Sequence, residues 1–257
     1  MSVSASSELA RLVDRRRFDA DAVALLRENI HGGLLATSAN LDGANFTTLK
    51  PRDLEYLFDE YDRRFFNTAI RTCVHAGALG FRVSTRMTSA GGKTVRFVAH
   101  GHTKQVRYEI SVSTTLLYQC FNRDDHRPIS VSGVSCRDRL EALQRIMEHE
   151  LVHVVEGVLW ERSNCAAARF RSIASRFFGH RGSTHALITP REHALVRFGI
   201  RPGVRVRFVR DGVPLVGFVN RVTRRATVLV VDPRGHVFTD GQRYATYYVP
   251  VDRLEPV

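Results

Sequence analysis

Several things are missing from this 257-residue chain, and each absence narrows what it can be. No apolar run approaches the ~18 residues needed to cross a bilayer, and the first residues hold no apolar signal region. A soluble, cytoplasmic protein with no membrane partner is therefore expected, nucleoid-associated if its source is prokaryotic. The four cysteines, Cys73, Cys120, Cys136 and Cys165, form no C-x-x-C pair and no disulfide-like spacing. That excludes a secreted disulfide scaffold and fits a reducing compartment. Acidic residues are in deficit, 26 against 38 basic ones, and the net charge of +12 is dominated by Arg. Such a balance points to a polyanionic partner such as nucleic acid, although an Arg-rich genome produces it too.

What is present centres on one stretch. His149-Glu150-Leu151-Val152-His153 matches H-E-x-x-H. On a helix, two histidines four residues apart project from the same side, about one turn from each other, and can hold one zinc ion. The Glu between them can take a proton from a water that zinc has acidified. Context supports a helix here. Ser135 and Asp138 make an S-x-x-D start signal, and Leu140, Leu143, Met147, Leu151, Val154 and Val158 follow three-four spacing. The expected helix covers residues 136–160, with its apolar stripe on a core and its histidines facing a cleft. Glu156, one turn beyond His153, either orients a ligand or is a solvated acid. For the pentapeptide itself the alternative is a solvated face of a long helix.

Around this stretch the chain reads as follows. Residues 1–45 form an arm whose short helix, beginning near Phe18, is ended by Gly32 and Gly33. A helix starts at Lys50-Pro51 and buries Leu54, Leu57, Phe58, Tyr61, Phe65 and Phe66. Strands follow at 81–84, 94–98 and 107–112, with a turn at Ala90-Gly91-Gly92 and another at His100-Gly101-His102, whose histidines read as solvated. Helix, short antiparallel sheet, then the His-bearing helix is the order of a zincin-type α+β protease. An edge strand beside such a cleft can pair with an extended peptide.

Four segments together resemble the SprT-like, Spartan-related family of zinc metalloproteases, over about residues 50–180. They are Asp59-Glu60-Tyr61-Asp62-Arg63-Arg64-Phe65-Phe66, Met87-Thr88-Ser89-Ala90-Gly91-Gly92-Lys93-Thr94, Tyr108-Glu109-Ile110-Ser111-Val112-Ser113, and the run from His149 to His153. The resemblance implies a zincin domain over 46–190, Zn2+ as cofactor with His149 and His153 as ligands, and Glu150 as the catalytic base. It also implies a substrate that is protein bound or crosslinked to DNA, as in DNA-protein crosslink repair. The family's third ligand is a His in an H-G-x-x-F/W motif opening the next helix. Here that run reads Ala166-Ala167-Ala168-Arg169-Phe170, with Ala at the His position. Cys165, beside it, is the expected replacement, a thiolate at the N-terminus of a helix over 166–178. His180 and His185 are the alternatives, and a site lacking a third ligand would be weak or pseudo-enzymatic.

Beyond residue 190 the pattern changes. Thr189-Pro190-Arg191-Glu192 starts a short helix that Gly199 ends. Strand-length segments follow at 204–209, 215–222, 226–231 and 246–250, broken at Asp211-Gly212, Thr223-Arg224-Arg225 and Asp232-Pro233-Arg234-Gly235. Residues 191–257 are thus expected to be a linker helix and a small SH3-like or KOW-like barrel. They hold twelve Arg against six acidic residues, half of the chain's net charge. Arg205 and Arg207 on one strand face, and Arg221, Arg224 and Arg225 around a turn, are expected to contact DNA phosphates, with Tyr244, Tyr247 and Tyr248 for stacking. The rival function is a non-catalytic, nucleic-acid-associated binding protein with a structural or inactive zincin fold. A zinc hydrolase of non-peptide substrates is a more distant third.

Overall fold

Residues 3–74, 77–99, 105–122 and 127–257 are described by the computed structural model, and they form a mixed α+β chain in two units, Met1–Leu187 and Ile188–Val257. The His100-Gly101-His102 turn lies outside the described residues.

The first unit opens with α1 (Val3–Arg15) and α2 (Ala20–Thr37), so the N-terminal segment carries more structure than an arm with one short helix. Gly32 and Gly33 do not end α2; it runs through them, capped at its start by Asp19, whose carboxylate accepts the Ala22 N–H at 2.7 Å. A mid-helix Gly costs about 1 kcal/mol relative to Ala. Packing offsets that cost, because Ile30 and Leu34 are fully buried and a Cβ on Gly33 would collide with the Tyr56 hydroxyl. The predicted α3 (Pro51–Phe66) follows, with Pro at its first turn and the Asp53 carboxylate accepting the Lys50 N–H. Its aromatic face is buried as its spacing requires, and α4 (Ala69–Cys73) turns the chain towards the sheet.

The sheet consists of β1 (Leu79–Ser84), β2 (Gly92–Ala99) and β3 (Gln105–Ser113), in the order β1-β3-β2. It is not purely antiparallel: β3 pairs antiparallel with β2 but parallel with β1. The reason is topological, since β1 and β2 are the arms of a wide hairpin and β3 inserts between them. This leaves β2 at an edge. Gly91 lies in a bend that ends the connection from β1, Gly92 opens β2, and neither has positive φ. Their role is close approach, for a Cβ on Gly92 would sit 2.5 Å from Glu150 Oε1 and 2.7 Å from Ile146 Cγ2.

After α5 (Thr114–Tyr118) and a small hairpin, β4 (Ile129–Val131) and β5 (Val134–Cys136), the chain enters α6 (Arg139–Trp160). This helix starts three residues later than the S-x-x-D signal suggests, because Asp138 itself is the N-cap, accepting the Glu141 N–H at 2.8 Å, while Cys136 still belongs to a strand. Nor does α6 have one buried face and one open one. It is buried around almost its whole circumference, with neighbours in α1 to α5, α7 (Ala168–Phe178), and the strands β2 to β5. Only His149, His153 and its last residues come towards the surface. Ring packing among Tyr61, Phe65, Phe66, Phe177 and Phe178 fixes α7 against α3, with Phe66 and Phe177 stacked at 4.7 Å.

The second unit holds α8 (Pro190–Phe198), capped by Thr189 and ended by Gly199 in the left-handed region (φ +67°), and one antiparallel sheet. Its strands are β6 (Arg205–Arg210), β7 (Val213–Val222), β8 (Ala226–Val237), β9 (Arg243–Val249) and, after a 3-10 turn at Val251–Arg253, β10 (Glu255–Pro256). Their order is β10-β6-β7-β8-β9. One face packs on Ala194 and Ile200 through Val206, Phe208, Val219, Val222, Ala226, Val228 and Val249. The Asp232-Pro233-Arg234-Gly235 run is a bulge inside β8 and not a break between strands, for pairing with β9 resumes at His236. A bulge tolerates the missing Pro N–H.

Candidate metal centre

His149 and His153 lie one turn apart on α6, and their Nε2 atoms are 3.2 Å from each other. Cys165, on the loop between α6 and α7, joins them: the ligand atoms of the three residues all lie within 4.8 Å of one another. Two zinc–nitrogen bonds of about 2.0–2.1 Å at a tetrahedral angle separate their nitrogens by about 3.3 Å. The spacing therefore suits a small tetrahedral ion.

The tautomer of His153 follows from its neighbours. Its Nδ1 is 2.6 Å from Ser163 Oγ, and the Ser163 hydroxyl donates its single proton to Glu156 Oε2 at 2.7 Å. Ser163 must therefore accept from His153, which puts the proton on Nδ1 and leaves Nε2 with a free lone pair. Glu156 is fully buried and so is not a solvated acid. Besides Ser163 it accepts the Asn164 N–H and the Nε–H of Arg169, whose guanidinium carbon lies over Trp160 at 4.2 Å from the ring centroid. One carboxylate thus fastens the loop that carries Cys165 and, through Ser163, orients His153. Phe170, on α7, closes the site with ring centroids 4.8 Å from His149 and 4.6 Å from His153. Burial disfavours the charged form of both imidazoles, pushing His149 down to about 3 with help from its histidine neighbours and lowering His153 too. Neutral imidazole is the form that ligates.

Glu150 takes a different direction from the helix, about 100° round from His149. Its buried carboxylate accepts the Thr94 hydroxyl of β2 at 2.7 Å, and burial raises its pKa to about 7 against the opposing hydrogen bond. An edge strand and a carboxylate are thereby brought together one residue along the helix from His149.

His180 and His185 are placed elsewhere. His180 Nε2 lies 2.8 Å from Glu148 Oε2 in a buried cluster. Glu148 also accepts from both donors of Arg27 on one edge, from Arg145 and from the Tyr61 hydroxyl. Burial works against the Glu148 charge, but the Arg145 and Arg27 charges hold its pKa well below the usual carboxylate range. His185 has Nε2 at 3.1 Å from the Ser89 carbonyl and Nδ1 accepting the Leu187 N–H, so both ring nitrogens are engaged by backbone. Phe170 stands at the F/W position of the motif that the resemblance implies, whereas Ser163 and Glu156's loop-fastening role were not readable from spacing. Their signal, a buried acid one turn past the second His and a polar residue beyond the helix end, is too common in sequences to stand out.

In the second unit Arg205, Arg207, Arg221, Arg224 and Arg225 are all exposed, and Arg207 pairs with Glu255 at 3.0 Å. Of the tyrosines expected to stack, Tyr247 is turned to the core against Phe208 and the Tyr244 hydroxyl donates to Asp240; Tyr248 is open.

Ser163→Ala removes the acceptor that holds His153 in this tautomer without touching the core. Metal affinity measured by chelator competition is expected to fall about 10–100-fold, while thermal stability falls by only about 1–3 kcal/mol, the cost of a lost hydrogen bond to the buried Glu156 carboxylate. Unchanged affinity would show that the Ser163 link is incidental.

No family model matches the chain, and comparison with curated proteins and with solved structures finds no match. No helix among the described residues is long and apolar enough to cross a membrane.

Proposed function

We propose that this chain is a zinc-dependent endopeptidase of SprT-like, zincin type, in which His149, His153 and Cys165 hold the metal and Glu150 is the catalytic base. The observation that carries it is the convergence of those three ligand atoms, with the His153 Nε2 lone pair freed by the Ser163–Glu156 chain. Two imidazoles and a thiolate are a donor set that suits zinc, and three protein ligands leave a position open as catalytic sites require. When bound, zinc supplies Lewis acidity, polarising a carbonyl and acidifying water. Glu150 accepts the proton of the attacking water and returns it to the leaving amine, and Thr94 aims the carboxylate through its hydroxyl. Because β2 is an edge strand, an extended peptide can add to it by backbone hydrogen bonding and pass beside Glu150. That mode selects for extended backbone more than for particular side chains.

The second unit, an SH3-like module in this reading, supplies location. Its exposed arginines concentrate the enzyme on nucleic acid, so the substrate class is protein bound or crosslinked to DNA. Metal analysis of the purified protein tests the proposal. Stoichiometric zinc is expected in the wild type and in His185→Ala, zinc is expected to be lost in Cys165→Ala, and the zinc-loaded wild type is expected to cleave a DNA-bound protein. Wild-type protein that binds no zinc would end the enzyme reading and leave a nucleic-acid-associated binding protein.

A further inference from the structure

The strands of the second unit bury one face, and the other carries an unusual mixture. Val206 and Phe208 of β6 point to the core, so Arg205 and Arg207 point out. Register then fixes what stands beside them, since directly opposed residues share a face. Arg205 opposes Phe218, which opposes the buried Leu229, which opposes Thr246. One row further along, Arg221 opposes Thr227, which opposes Tyr248. Strict alternation from Val219 would turn Arg221 into the core. The bulge between Val219 and Arg221 adds one residue, which keeps Val219 and Val222 both inside and delivers Arg221 to the outer face. The outcome is two exposed rings, Phe218 at 45% and Tyr248 at 66%, flanked by three arginines. The rings are two strands and one row apart, about 12 Å by strand geometry. Glu255 on the same face is engaged by Arg207, whereas Arg205 and Arg221 have no ion pair among the described residues.

We propose that this face is a platform for single-stranded nucleic acid, with unpaired bases stacking on Phe218 and Tyr248 and the phosphate backbone held by Arg205 and Arg221. The proposal rests on the reading that the basic second unit meets nucleic acid, and it does not involve the metal site. Charge complementarity favours a polyanion over an apolar protein segment. Exposed ring faces favour single strands over duplex, because a duplex offers its base faces only to its own stack. A bare strand threaded across the face would meet both terms at once.

The test is fluorescence anisotropy of the full chain with labelled oligonucleotides of roughly 20 residues, long enough to span several stacking sites. Single-stranded and duplex forms are compared at low and moderate salt. Tighter binding of the single strand is expected. Phe218→Ala and Tyr248→Ala should each weaken it about tenfold, while Phe218→Tyr and Tyr248→Phe, which keep the rings, bind as the wild type does. Arg205→Ala with Arg221→Ala should weaken both forms and flatten the salt dependence. If removal of both rings changes nothing and duplex binds equally well, the platform is wrong; loss of that binding in Arg224→Ala with Arg225→Ala would then keep nucleic-acid association and move it to the turn. Absence of any nucleic-acid binding overturns both ideas, and so does selective binding of a peptide on this face.

Discussion

Replacing Glu150 by Gln is expected to lower kcat/KM for peptide cleavage by about 10²–10⁴-fold, the contribution a positioned general acid–base makes. Zinc content should stay at the wild-type level. The substitution is close to isosteric, and a Gln carbonyl can still accept the Thr94 hydroxyl that holds Glu150 at 2.7 Å. The close approach of this side chain to Gly92 is preserved as well. What is lost is the ability to take up a proton. Single-turnover cleavage of a DNA-bound protein, measured beside metal content, checks this. Cleavage equal to wild type with full zinc would remove Glu150 from the chemistry, while loss of zinc would show that the side chain matters to assembly instead.

Glu148→Gln is expected to destabilise the first unit by about 3–5 kcal/mol, the penalty for removing one partner of a buried ion pair. Glu148 is fully buried, and its two oxygens accept from Arg27, Arg145, Tyr61 and His180. A neutral amide leaves the buried Arg145 charge and the part-buried Arg27 charge without their counter-ion and turns an NH2 group towards donors. The pH dependence has a definite sign. The carboxylate pKa is depressed in the fold, so its contribution is present above the unfolded value near 4.5 and is lost only as pH falls well below that. Urea unfolding of wild type and variant should differ most above pH 4.5 and converge in strong acid. A difference below about 1 kcal/mol at neutral pH would mean that the cluster is not a unit.

These two neighbours, residues 148 and 150, illustrate how differently sequence speaks. His149, Glu150 and His153 stand out because a metal site needs fixed residue types at helical spacing, and spacing is a property of the sequence. Glu148 and His180 are 32 positions apart, and nothing in either segment announces the other. The same limit applies to Cys165. Only the gap in the family pattern at Ala166 draws attention to it, and the loop that brings it to the histidines is set by Glu156, Ser163 and Arg169. Helix α3 was legible from Pro51 and its aromatic stripe, whereas the end of α2 was not, because Gly32-Gly33 is a local stop signal that packing on Tyr56 overrides. In the second unit alternation located most strands, yet the bulges in β7 and β8 escaped it, since an extra residue is invisible without the partner strand.

Local composition and periodicity by themselves determined that the chain is α+β, that one helix carries two imidazoles one turn apart with a carboxylate between them in sequence, and that a basic, strand-rich segment follows. These follow from short-range rules, 3.6-residue and two-residue periods and capping chemistry, which need no distant partner. Tertiary structure alone decided that α6 is buried on nearly all sides, that Cys165 meets the histidines while His180 and His185 are held by Glu148 and by backbone, and that a bulge turns Arg221 outward beside Phe218 and Tyr248. Each of those depends on which distant segments pack together, and burial, not sequence spacing, selects that pairing.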